Sequence, residues 1–177
     1  KARGKNNFQF YSAQQSGNSF ERLALESALR HALGRREFVL HYQPRVDIVT
    51  GRMVAVEALL RWNHPDLGVV GPNQFIPLAE ETGLIVPIGR WVLRSACAQA
   101  VQWRAEGLAG MRVAVNLSAR QFMDDDLIVD IGDALAEAAL APDGLELEIT
   151  ESMVMQSPER AVTTLSRLRD LGIAVSI

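Results

Sequence analysis

One cysteine, Cys97, stands in 177 residues. No disulfide can close within the chain, and a reducing compartment, the cytoplasm, suits it. Cys97 lies in an apolar helical run, so it reads as a buried, inert thiol rather than a nucleophile. No apolar stretch approaches the ~18 residues of a membrane-spanning helix, and no signal peptide is visible. The chain opens on Lys1 rather than Met, which leaves upstream segments open, an inner-membrane anchor among them. Positive charge is also short. Lys and Arg number 18 against 21 Asp and Glu, a net charge of -3, without the basic stripe that a nucleic-acid polymer demands. No strand-like run is followed by G-x-G-x-x-G or a Walker-type loop, which counts against nucleotide folds of those kinds. His31, His41 and His64 lack ligand-like spacing, and His64 before Pro65 reads as a turn residue.

What is present is globular composition, 48% hydrophobic and 22% charged, enough for one sizeable core. Residues 1–7 are basic and polar, and Phe8-Gln9-Phe10-Tyr11 alternates weakly like a last strand. Residues 14–19 have the composition of a linker, with a boundary near Ser16; an ordinary N-terminal tail fits the same residues. From Phe20 the spacing of Leu25, Leu29, Ala32 and Leu33 predicts a helix, with Asn18 and Glu21 as a capping pair and Gly34 as its stop. Two strands follow, Phe38 to Val49 and Met53 to Leu60, joined at Thr50-Gly51 and therefore antiparallel. A Pro- and Gly-rich loop runs from His64 to Pro72. Helices are then expected over Phe75 to Thr82, from Pro87 to Gly107, after Asp124-Asp125-Asp126, and from Ser157-Pro158 to Leu171. Strands are expected at Met111 to Leu117, Leu145 to Ile149 and Ile173 to Ile177. Helix and strand alternate, which predicts an α/β fold with a largely parallel sheet, either doubly wound or a barrel.

Strand side chains alternate between faces. Val54, Val56, Ala58 and Leu60 share one face, and Ala55, Glu57, Leu59 and Arg61 the other. Asn116 opposes Val113, Val115 and Leu117, while Glu146 and Glu148 oppose Leu145, Leu147 and Ile149. Each strand thus carries a polar residue near its C-terminal end, where a barrel builds its active mouth. Glu57, Asn116 and Glu148 are oxygen donors and would suit Mg²⁺, Mn²⁺ or Ca²⁺ better than zinc or copper. Each also has a plainer explanation: Arg61 as an ion-pair partner of Glu57, turn chemistry for Asn116 and Ser118, the wet side of an open sheet for Glu146 and Glu148. Trp62, Trp91 and Trp103 read as packing residues.

These residues stand within longer motifs: Tyr42-Gln43-Pro44, Glu57-Ala58-Leu59-Leu60-Arg61-Trp62, Phe75-Ile76-Pro77, Ala79-Glu80, Val115-Asn116-Leu117-Ser118 and Glu148-Ile149-Thr150-Glu151. In this order they resemble the EAL-domain family, the cyclic-di-GMP phosphodiesterases, from about Phe20 to Ile177. Residues 1–13 resemble the end of a GGDEF domain. The resemblance implies a TIM-like (β/α)₈ barrel with an antiparallel first strand, present here to about its first five strands. It implies that Glu57, Asn116 and Glu148 are metal ligands in a site for two Mg²⁺ or Mn²⁺ ions, which activates water against one phosphodiester bond and yields pGpG. It places Gln43, Leu59 and Arg61 on cyclic-di-GMP, with Pro77 and Glu80 toward its guanine side, and Glu151 as the brace of a catalytic loop. The family continues past this chain into an Asp-Asp-Phe-Gly motif with further metal ligands. The expectation is therefore an active intact parent, homodimeric, and an inactive fragment. A non-catalytic cyclic-di-GMP receptor or a protein-interaction module are the competing readings.

Overall fold

The computed structural model describes residues 13–108 and 110–177, with side-chain surroundings from Glu21 onward. The reading of residues 1–12 as the end of another domain, with a strand at Phe8 to Tyr11, lies outside the described residues. The first helix, α1, runs Ala13–Ala32 and so begins earlier than Phe20. Residues 14–19 are helical, and Asn18 and Glu21 lie inside the helix rather than at its cap. Ala13, Gln14 and Gln15 are strong helix formers, and Gly17 costs only about 1 kcal/mol against Ala, too little to break the run.

Strands β1 (Phe38–Val46) and β2 (Met53–His64) form the expected antiparallel hairpin. Its turn is held by Asp47, whose Oδ1 accepts from the Thr50 backbone N–H at 2.7 Å, and Gly51 supplies a φ of 68°. The Pro- and Gly-rich loop contains a short strand the pattern did not signal, β3 (Gly68–Val70), paired back onto the end of β2. Helices α2 (Pro72–Thr82) and α3 (Ile85–Ala105) lead to β4 (Arg112–Asn116). Then come α4 (Ala119–Phe122), α5 (Leu127–Ala138), a 3₁₀ turn (Pro142–Gly144), β5 (Leu145–Glu148), α6 (Glu151–Gln156), α7 (Pro158–Asp170) and β6 (Ala174–Ser176).

The sheet order is β1-β2-β4-β5-β6, antiparallel at the first pair and parallel thereafter. This is the order of a barrel with an inverted first strand, and it decides against a doubly wound sheet, whose strand order would reverse. The outer face is the aliphatic one. Val56, Val113, Val115, Leu145 and Leu147 are buried against Val92 and Ala96 of α3, Ile131 of α5 and Leu168 of α7 within one core. Cys97 is buried in the same layer, and burial pushes its thiol up to about 11, as befits an inert residue. The three tryptophans pack as expected. Trp62 is wholly buried, its ring 6.1 Å from Phe38 and 5.8 Å from Phe75, and its Nε1–H donates to Glu37 at 2.9 Å. That aromatic cluster pins the strand one residue past Arg61, so the inner-face residues of β2 have a fixed height.

The inner face is small and polar. Ala55 and Ala114 are buried outside the aliphatic core, Glu146 stands level with Ala114, and Asn116 and Glu148 stand one layer above, beside Glu57. Arg45 of β1 reaches Glu146 and Glu148 of β5, although β2 and β4 lie between. Laid flat, three strand spacings would separate β1 from β5 by about 14 Å. The residues meet because the sheet is curled with this face concave.

Candidate functional site

Glu57 and Asn116 are joined directly, Asn116 Nδ2 donating to Glu57 Oε1 at 2.8 Å. Asn116 sits opposite Glu148 in the parallel β4–β5 register, which places both on the same rim. Gln43 lies opposite Glu57 in the β1–β2 register. The three candidate ligands are therefore gathered on one rim: Asn116 and Glu148 close β4 and β5, while β2 runs on past Glu57 to His64. Arg61 does not serve as the ion-pair partner of Glu57: its Nη1 donates to the Leu60 carbonyl at 2.9 Å. The remaining N–H groups of that guanidinium are left for another acceptor.

Glu148 is the most constrained of the three. Burial holds its carboxyl above the usual carboxylate range, and the nearby Glu57 charge pushes the same way, against the pull of Arg45. A carboxylate placed beside other carboxylates in a half-buried position is in surroundings that favour a cation. Among the described residues no three His, Cys, Asp or Glu side chains are grouped to hold a metal. The donor set is instead two carboxylates and the Asn116 carboxamide. All three are hard oxygen donors, and turning the Asn116 amide presents Oδ1 instead of Nδ2. The residues fit a hard divalent cation.

Beside this rim lies a cavity of ≈ 450 Å³ whose lining includes Leu59, Arg61, Glu80, Asn116, Ser118 and Gln121. It meets the acidic trio at Asn116. Leu59, Arg61 and Glu80 therefore share one chamber. Pro77 does not: it is exposed on the other side of α2, in a groove against α1 with Ala24 and Leu25. Ile76 and Glu80 face the cavity, and one residue's step around a helix carries Pro77 away from it. Glu151 is exposed at the first position of α6, outside the cavity lining, whereas its neighbours Thr150, Ser152 and Met153 line it.

Arg45 and Gln121 went unread in the sequence, and Ser118 was read only as turn chemistry. Arg45 lies two residues after Gln43, so strand alternation alone puts it on the inner face. Ser118 and Gln121 form a capping box for α4: the Gln121 backbone N–H donates to Ser118 Oγ at 3.2 Å, and Ser118 N–H donates to Gln121 Oε1 at 3.2 Å. The Ser-x-x-Gln spacing was the available signal. This box fixes the chain immediately after Asn116. Gln121 is 7% exposed and presses on Gly89 of α3, where even a methyl group would fall 1.8 Å from Gln121 Nε2.

The chain is similar throughout its length to known proteins. It is 46% identical over all 177 residues to MucR of Pseudomonas aeruginosa, a bifunctional diguanylate cyclase/cyclic di-GMP phosphodiesterase, covering 26% of that protein. It is 41% identical over 177 residues to the cyclic di-GMP phosphodiesterase NbdA of the same organism, covering 23% of it. The chain thus spans about a quarter of the length of these relatives. Among solved structures, the PaMucR phosphodiesterase in complex with c-di-GMP superposes with a TM-score of 0.85 at 48% identity, over 87% of this chain and 62% of that one. The FimX EAL domain of Xanthomonas citri in complex with c-diGMP gives a TM-score of 0.78 at 26% identity, over 90% and 62%. No helix among the described residues is long and apolar enough to cross a membrane. The inverted first strand, the oxygen-bearing rim and the chamber beside it go with a match to the EAL domain over residues 26–177, and the chain belongs to that family.

Proposed function

We propose that this chain forms the metal- and nucleotide-binding part of a cyclic-di-GMP phosphodiesterase that releases pGpG. The observation that carries the reading is the convergence of Glu57, Asn116 and Glu148 on one rim, with Asn116 shared by the chamber that holds Leu59, Arg61 and Glu80. Bound divalent ions would supply polarisation of a phosphodiester oxygen and a water of lowered pKa. The residues of the chain do the rest. Glu57 and Glu148 provide charge, and Asn116 provides a neutral donor between them. Arg61, with one nitrogen tied to Leu60 O, offers its remaining N–H groups to a phosphate oxygen. Leu59 forms an apolar wall of the chamber, and Gln43 stands level with Glu57 at the edge of the rim. Glu80 takes the guanine side, and Glu151, at the head of α6, braces the loop after β5.

The preference for Mg²⁺ or Mn²⁺, the homodimer and the cytoplasmic setting belong to the same reading and rest on the family resemblance, with the lone buried Cys97 in keeping. So does the reading of residues 1–13 as the end of a GGDEF domain, supported by the match to the bifunctional MucR over all 177 residues. Three oxygen donors are too few for two ions, so turnover requires the further ligands of a completed barrel. Chromatography of cyclic-di-GMP incubated with Mn²⁺ tests this. The expected result is pGpG from a protein with the completed barrel and no product from the 177 residues alone. Nucleotide binding without turnover by the completed barrel would favour the receptor, and absence of both would leave an interaction module.

A further inference from the structure

Arg45 is the one cation that touches the acidic rim among the described residues. Its Nη1 lies 2.6 Å from Glu148 Oε1 and 3.1 Å from Glu146 Oε1, so a single nitrogen bridges the two carboxylates. The glutamate side chains are 20% and 13% exposed and that of Arg45 is 41% exposed, so the carboxylates are largely enclosed while the arginine keeps access to solvent. Ser176 of β6 donates its Oγ–H to the same Glu146 oxygen at 3.0 Å, so Glu146 is anchored from a second strand. Glu148 has no such second anchor from β6. One carboxylate of the bridge is therefore structural, and the other is free to change partners.

We infer that Arg45 is a built-in counter-cation of the metal site: it holds Glu148 in the metal-free state and yields it, while staying with Glu146, when a divalent cation binds at Glu57, Asn116 and Glu148. Arg45 is thus a positioning residue that sets metal affinity. This rests on the metal-site reading given above. Two consequences separate it from a plain structural ion pair. Arg45 stabilises the metal-free protein more than the metal-loaded one, because the ion takes over neutralisation of Glu148. Its fixed charge beside the site weakens metal binding by simple repulsion.

Calorimetric titration of the full chain with Mn²⁺, paired with melting curves in chelator and in saturating Mn²⁺, tests this on wild type, Arg45→Met, Arg45→Lys and Glu146→Gln. The Met variant is expected to bind Mn²⁺ about tenfold more tightly, the scale of one unit charge acting at a half-buried site. It should melt below wild type in chelator and close to it in Mn²⁺. Arg45→Lys keeps the charge and should restore wild-type affinity. Glu146→Gln leaves Arg45 wholly to Glu148 and should weaken Mn²⁺ binding, which keeps the test informative if the Met variant does not fold. Unchanged or weaker affinity in Arg45→Met, or an equal melting deficit with and without Mn²⁺, would overturn the inference while wild-type binding still upheld the site. Failure of every variant and of wild type to bind Mn²⁺ would overturn both.

Discussion

Replacing Glu57 with Gln is expected to leave the domain folded and to lower its divalent-cation affinity by at least about 100-fold, since groups that merely orient a ligand are already worth 10–100-fold. The exchange is nearly isosteric and keeps an oxygen for the Asn116 amide to bond, so the 2.8 Å contact survives. What disappears is a negative charge. That charge raises the proton affinity of Glu148, which shows the two carboxylates repel each other in the metal-free protein. Removing it relieves repulsion, and the melting temperature in chelator should equal or exceed that of wild type. Loss of function with no loss of stability marks residues held for binding rather than packing. A fall in stability with unchanged Mn²⁺ affinity would assign Glu57 to the fold instead. The same signature is expected of Glu148→Gln for affinity, with the difference that Arg45 then loses a partner.

The alternation of helix and strand was legible because its signals are local and repeated, whereas the choice of a barrel over a doubly wound sheet came from the family resemblance. The turn at Thr50-Gly51 fixed the first pair as antiparallel, and every later strand was separated from its neighbour by a helix long enough for a crossover. The alternation in β2, β4 and β5 told which face met the helices. The elements that escaped are short. Strand β3 has three residues and is made only by pairing with Trp62, Asn63 and His64. Helix α4 has four residues and exists through its capping box. The start of α1 escaped for the opposite reason: a small, polar composition reads as a linker, yet weak propensities do not oppose a helix that continues into an apolar stripe.

Gly89→Ala is the second large effect, and its sign depends on a residue 32 positions away in the chain. Within α3 an alanine should favour the helix by about 1 kcal/mol. Here the added methyl group would stand 1.8 Å from Gln121 Nε2 and 2.6 Å from its Cδ. Gln121 would have to leave, and the Ser118 backbone N–H would lose its acceptor. Losing that half of the cap and stranding buried polar groups costs about 1–3 kcal/mol. We therefore expect Gly89→Ala to destabilise the protein by up to roughly 2 kcal/mol, the difference of those two effects. We also expect it to weaken Mn²⁺ binding by about tenfold, because Ser118 lies two residues beyond Asn116. In a Gln121→Ala background the same substitution should turn neutral or stabilising. Denaturant midpoints of the four proteins of this cycle check it, and equal costs in both backgrounds would remove Gln121 from the explanation.

The site was legible to a different degree from the fold. Glu57, Asn116 and Glu148 could be gathered from strand ends alone, since parallel strands in one ring bring their C-terminal ends together. Leu59, Arg61 and Glu80 were singled out only through the family resemblance. Pro77 lies outside the chamber although it shares a motif with Ile76, because a motif records order along the chain, whereas each helical step turns a side chain by about 100°. Arg45 was missed because its partners lie about 100 residues away on a strand that is not its neighbour in the sheet, and only the curl of the barrel brings them into contact. A polar residue on an inner face is readable; its partner across the interior is not.

The central claim is that one rim holds a divalent cation through three side-chain oxygens. Anomalous scattering from a crystal grown in Mn²⁺ tests it most directly. The account predicts a peak about 2.0–2.6 Å from oxygens of Glu57, Asn116 and Glu148, with the Asn116 amide turned and Arg45 drawn off Glu148. A peak elsewhere, or none at saturating Mn²⁺ with Asn116 still donating to Glu57, would contradict it.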